Sequence, residues 1–154
     1  MTVEELLQLP TIKGLKLISG NLGVHREIST VTVVDTPDGF QWLKGNEVVI
    51  TTTYALEKTP NSFLDFISKL LSRNISALIV KSDRYIKVIP ENAKKLCDEK
   101  ALPLIYCPAI YAFADIINPT LSGIISKQAE QLKESSKIHE SFLELATNDR
   151  SIHQ

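Results

Sequence analysis

The chain has 154 residues, 44% hydrophobic and 23% charged, with 17 Lys and Arg against 18 Asp and Glu and a formal net charge of -1. This mixture supports a real core, which excludes a disordered tail, and the neutral balance excludes a strongly basic nucleic-acid-binding module. No apolar run approaches the roughly 20 residues of a bilayer span, and the acidic start Met1-Thr2-Val3-Glu4-Glu5 lacks a secretory pattern, so the expectation is a cytoplasmic protein that does not enter membranes.

Val3 to Leu9 carries apolar residues at 3, 6, 7 and 9 and reads as a short amphipathic helix. Thr2 is its N-cap, Glu5 the capping-box partner, and Pro10 closes it. Leu15 to Ile18 is a short strand, stopped by Gly20-Asn21-Leu22-Gly23, a turn that uses glycine at positive φ. His25-Arg26-Glu27 reads as a solvated charged loop, with contact to a ligand or neighbouring domain as the alternative. Val31 to Val34 is a β-branched strand, ended by the turn signal Asp35-Thr36-Pro37-Asp38-Gly39.

Phe40-Gln41-Trp42-Leu43 is one helical turn, with Trp42 expected to anchor it on the core; an exposed Trp42 would instead mark a contact surface. Glu47 to Thr53 is a strand whose continuously apolar centre suits cover on both faces. Ser62 to Arg73 is a helix with a broad buried stripe, started by Pro60 and Asn61 and stopped by Asn74. Ala77 to Val80 is a second buried strand, Tyr85 to Ile89 a short one, Pro90 to Lys100 a helix, and Leu104 to Tyr106 a further strand. Alternating strands and helices from Glu47 to Tyr106 indicate an α/β fold with a small, largely parallel or mixed sheet flanked by helices.

After Phe113 the pattern becomes helical, with Asn118-Pro119 as an expected kink or break. A helix over Thr120 to Ala146 would be about 40 Å long, more than a small domain needs. Residues 121, 125, 132, 142 and 146 follow a rough seven-residue repeat, with Gln128, Ser135 and His139 on the same seam. The expected organisation is a regulatory body over 1–112, a linker and dimerisation helix over 113–147, and the start of a further segment over 148–154. The seam predicts a homodimer through this helix.

No nucleophile elbow, phosphate loop or metal-ligand spacing is present, so neither catalytic residues nor metal ligands nor a cofactor are expected. Cys97 and Cys107 read as ordinary buried thiols. Thr51-Thr52-Thr53 lies where a buried strand emerges, the end at which open α/β sheets bind ligands; hydroxyl bonding at a strand end is the plainer reading. Asp35 and Glu47 would form a carboxylate pair only if their strand ends met, and otherwise are solvent residues at strand ends.

Several short pieces add up to a resemblance. They are Leu9-Pro10, Gly14-Leu15, Ser19-Gly20, Gly23 to Glu27, Val31 to Asp35, and above all Trp42-Leu43-Lys44-Gly45-Asn46-Glu47 running through Val48-Val49-Ile50 to Thr51-Thr52. Leu102 to Ile105, Pro108 and Ile138-His139-Glu140 fit as well. Together they resemble the N-terminal domain of the purine catabolism regulator-like (PucR-like) bacterial transcription factors, up to about residue 147. The resemblance implies a sensory or regulatory module for a small-molecule effector, followed by a linker helix, a middle domain and a final helix-turn-helix domain that binds DNA outside this chain. It also implies Gly45, Glu47, Thr51 and Thr52 as the family-like cluster for ligand binding. Thr53 departs from the family pattern, which has glycine there. A small metabolite-processing enzyme and a ligand-free docking module are the competing functional readings.

Overall fold

The computed structural model describes residues 1–52, 62–82 and 89–152. Thr53, Pro60, Asn61 and most of the strand expected at 85–89 lie outside them. Four helices and five strands follow in the order α1 (Val3–Leu7), β1 (Lys16–Ser19), β2 (Thr30–Val33), β3 (Glu47–Thr52), α2 (Ser62–Ser72), β4 (Ala77–Ser82), α3 (Glu91–Glu99), β5 (Leu104–Pro108) and α4 (Phe113–Ile152). Short 3-10 turns cover Pro10–Ile12, Asn21–Gly23 and Gly39–Trp42.

The strands form one sheet in the order β1-β5-β4-β3-β2, with β2 to β5 parallel and β1 antiparallel beside β5. The mixed α/β sheet expected from the alternation is therefore present. From β2 to β5 each step moves one place in the same direction. Crossovers of one hand then fall on one face. The core of that face combines Val49, Leu78, Val80 and Leu104 with Leu43 of the first crossover, Phe63, Phe66, Ile67 and Leu70 of α2, and Ala93 and Cys97 of α3. The opposite face combines Val48, Ile50, Ala77, Ile79, Ile105 and Cys107 with Val3 and Leu6 of α1, Ile12, and Ile116 and Ile124 of α4. Each central strand feeds both layers through its period of two, which explains the unbroken apolar run at 48–50.

Local signals account for the boundaries. Thr2 and Glu5 close a reciprocal capping box on α1. Asn74 stops α2 at φ 55°, and Ala101 follows α3 at φ 52°. Gly20 ends β1 at φ 75°, where an added Cβ would lie 1.9 Å from the Leu102 carbonyl oxygen.

Three expectations need correction. Trp42 is 82% exposed; buried Leu43 and half-buried Phe40 anchor the turn instead. Phe40 lies under Lys69 and Arg73, with 5.6 Å and 5.7 Å to its ring centre. The His25-Arg26-Glu27 stretch is not simply solvated. Arg26 donates to the Ile75 carbonyl at 3.1 Å and the Lys100 carbonyl at 3.0 Å, pinning its loop to the ends of β4 and α3. Asn118-Pro119 does not break the last helix, since α4 runs through it without interruption. Proline removes one helical bond, but buried Ile116, Thr120 and Ile124 hold this stretch on the sheet, and the Thr120 hydroxyl donates to the Ile116 carbonyl at 2.7 Å.

Candidate functional site

The residues singled out in the sequence gather at two places, one at each end of β3. Parallel pairing sets Thr30 beside Glu47 and Val33 beside Ile50. Glu47 therefore starts β3 at the amino edge of the sheet, while Asp35 follows β2 at the carboxyl edge. The two carboxylates do not meet. About four residues at 3.3 Å each, or about 13 Å, separate Glu47 from Thr51 along the strand.

At the amino edge, Glu47 is 5% exposed, a correction to its expected place in solvent. Its carboxylate accepts the Lys44 N–H at 2.6 Å and the Gly45 N–H at 2.7 Å. Gly45 at φ 118° and Asn46 at φ 65° fold the chain back so that these two N–H groups converge on a side chain only two and three residues ahead. The Asn46 N–H donates to the Asn74 carbonyl, the Ser29 N–H to the Asn46 carbonyl, and the Ser29 hydroxyl to the Gly45 carbonyl. Gly45 and Glu47 thus sit in a closed hydrogen-bonded turn joining β2, β3 and the end of α2.

At the carboxyl edge, one oxygen of Asp35 gathers three donors. It accepts the Thr52 N–H at 2.7 Å, the Thr52 hydroxyl at 3.1 Å and lies 3.2 Å from the fully buried Thr51 hydroxyl. The Thr51 hydroxyl has the Thr52 carbonyl as a second acceptor at 3.1 Å. Half-buried Asp35 and Thr52 hold this arrangement at the lip of the sheet.

The register extends the edge into a row. Thr52 lies beside Lys81, and Lys81 beside Cys107. The ammonium of Lys81 stands 5.3 Å from the centre of the Phe113 ring, the first residue of α4. The Tyr106 hydroxyl donates to the Ser82 carbonyl at 2.9 Å, tying the ends of β4 and β5 together. Burial pushes the Cys107 thiol from 9.0 up to about 11, against a lowering by nearby Lys81. An acid, a base and two hydroxyls thus share the edge from which α4 begins. Among the described residues no group of three or more His, Cys, Asp or Glu could hold a metal ion.

Sequence reasoning singled out Thr51 and Thr52 but not Lys81 or Phe113. Their one sequence signal is position: Lys81 directly follows a buried run, and Phe113 opens the terminal helix. A second feature, a cleft of about 530 Å³, lies between Thr11 and the first turns of α4, lined by Ile110, Tyr111, Asp115 and Pro119 among others. No described helix is long and apolar enough to cross a membrane.

Comparison with known proteins places this geometry in a family context. A family described as "Purine catabolism regulatory protein-like family" matches residues 5–124. The chain is also 31% identical over 142 residues to the "Purine catabolism regulatory protein" of Bacillus subtilis (strain 168), a match that covers 92% of this chain and 27% of that protein. The chain therefore spans about a quarter of the length of that relative.

Proposed function

The chain belongs to the purine catabolism regulatory protein-like family, and on that premise we propose that it is the regulatory domain of a bacterial transcription regulator. It works in the cytoplasm and is not an enzyme. Its DNA contacts are made by a helix-turn-helix domain elsewhere in the full protein. Residues 1–112 are the sensing body, 113–147 the linker, and 148–154 lead onward.

One observation carries the reading: α4 starts at the carboxyl edge of the sheet, with Phe113 against Lys81, and then leaves the body. A small polar effector binds at the carboxyl edge beside Asp35 and Thr52, next to Lys81, with buried Thr51 holding Asp35 in place. Gly45 and Glu47 contribute to that site from the far end of β3, by fixing the strand whose other end touches the effector. Binding changes what Lys81 and Phe113 pack against, and the rigid helix passes the shift on. Such a relay requires an effector that binds two arrangements of α4 unequally.

A thermal-shift screen of purines, amino acids and carboxylic acids tests the proposal. At about 100 times its dissociation constant, an effector adds about 2.7 kcal/mol, or about 5–11 °C for a chain of this size. Thr52→Ala should abolish the shift. If every compound leaves the transition in place, the body is a docking module and the sensory reading fails.

A further inference from the structure

From 125 to 140 the body does not cover α4. Every residue from 125 to 140 is exposed, and Ile125, Leu132, Ile138, Phe142 and Leu145 keep 63%, 71%, 71%, 68% and 67% of their surface open. Exposed apolar side chains are ordinary when scattered. These are ordered. At about 100° per residue, all six charged residues from 125 to 143 (Lys127, Glu130, Lys133, Glu134, Lys137 and Glu140) fall on one half of the helix. The other half carries Ile125, Leu132 and Phe142 with Gln, Ala, Ser and His around them, while Ile138 and Leu145 lie at its edge beside Lys127. In a seven-residue repeat with Ile125, Leu132 and His139 at one core position and Leu121, Gln128, Ser135 and Phe142 at the other, the charges occupy only outward positions.

We propose that this uncharged half is a self-association surface, on which the α4 of a second copy of the chain lies parallel and in register. Charge is the first argument. The face presents none, so a two-fold partner brings no like charges together, and an acidic or basic foreign partner finds nothing to pair with. The charges behind it alternate in sign at i,i+3 spacing along most of the stretch, where they support their own helix. Register is the second argument. Parallel pairing sets Gln128 on Gln128, whose amides both donate and accept, and Phe142 on Phe142. An antiparallel pair centred on Ser135 would set Gln128 against Phe142. Area is the third. Half of a cylinder about 10 Å across and about 30 Å long is about 500 Å² per copy, which in sum reaches the roughly 1,000 Å² of a specific interface. The seam is also continuous with the body, since Leu121 packs against the core that holds Ile116 and Ile124.

The inference concerns α4 alone, and a chain that dimerises without binding any effector satisfies it. Sedimentation equilibrium of the 154-residue chain at micromolar concentrations should show a dimer. Leu132→Glu should raise the dissociation constant about 100-fold and leave the thermal transition of the body in place, because Leu132 belongs to neither core cluster. Lys133→Glu, on the charged half, should change neither. With an added oxidant, Gln128→Cys should form a covalent dimer, while buried Cys97 and Cys107 take no part. A monomer at every concentration overturns the proposal, as does a dimer indifferent to Leu132→Glu. Cross-linking of Gln128→Cys only when mixed with Phe142→Cys overturns the parallel register.

Discussion

Replacing Glu47 separates a structural role for the Gly45-Asn46-Glu47 turn from direct effector contact. The carboxylate is 5% exposed and holds two backbone N–H groups at 2.6 Å and 2.7 Å. Hydrogen bonds to a charged group contribute about 1.5–3 kcal/mol each, and the relief of a buried charge offsets part of the loss. Lys44 is exposed, so water can reach its N–H once the side chain is gone; Gly45 is half-buried, and its N–H is harder to rehydrate. Glu47→Ala should therefore cost about 3 kcal/mol and lower the melting temperature by about 6–12 °C. Glu47→Gln keeps the shape but turns an amide donor toward one of the two N–H donors, so it should cost about 2 kcal/mol rather than nothing. Urea denaturation followed by circular dichroism measures both; Trp42, 82% exposed, is a poor reporter of the core. If Glu47→Ala unfolds at the wild-type midpoint yet abolishes an effector's thermal shift, Glu47 touches the ligand and the structural reasoning is refuted.

Gly20→Ala should destabilise by about 3 kcal/mol, because φ is 75° and the new Cβ would lie 1.9 Å from the Leu102 carbonyl oxygen; an unchanged melting temperature would contradict that packing. Arg26→Ala strips charged donors from the Ile75 and Lys100 carbonyls and should cost about 2–3 kcal/mol, with Arg26→Lys recovering only part because an ammonium cannot reproduce the fork. Burial pushes Cys97 from 9.0 to about 12 and Cys107 from 9.0 to about 11. Both folded values lie above the unfolded one, so the stability they contribute is complete below pH 9.0 and is lost as pH rises through about 11 and then about 12. Denaturation midpoints should fall above pH 9.0, and a Cys97→Ala, Cys107→Ala chain should lose that part of the slope. Thr2→Ala breaks the capping box on α1 and should cost about 1 kcal/mol, read from the same urea curves.

The parts of this fold that were legible in the sequence are those set by neighbours along the chain. The capping box at Thr2 and Glu5 needs only three residues of separation, and the Val48-Val49-Ile50 run announces a strand covered on both faces. Asn74 ends α2 through its own tolerance of positive φ. What was not legible depends on register. Asp35 and Thr52 meet because β2 and β3 run parallel with Val33 opposite Ile50, and a one-residue slip would turn each side chain to the other face. The same pairing drives Glu47 and Asp35 apart, although 12 residues of sequence put them within reach of each other on paper.

Glu47 and Pro119 show two ways a local rule is overruled. An acid beside an apolar run normally belongs in water; here its partners are the N–H groups of its own preceding turn, visible only once Gly45 and Asn46 adopt positive φ. A proline normally ends a helix, but the sequence lacks any sign that Ile116, Thr120 and Ile124 will lie buried and keep α4 continuous through it. From Ile125 onward no sheet remains to do this, and the balance passes to the helix itself. Isolated helices gain little from propensity and depend on covering an apolar face. Among the described residues, the projecting part of α4 carries such a face exposed from 125 to 140. Leu132→Glu should therefore lower the far-ultraviolet helical signal at dilutions where the wild-type chain is dimeric, while the core transition stays. A mutant helix as stable as the wild type would mean that the alternating charges from Lys127 to Glu140 suffice without a partner.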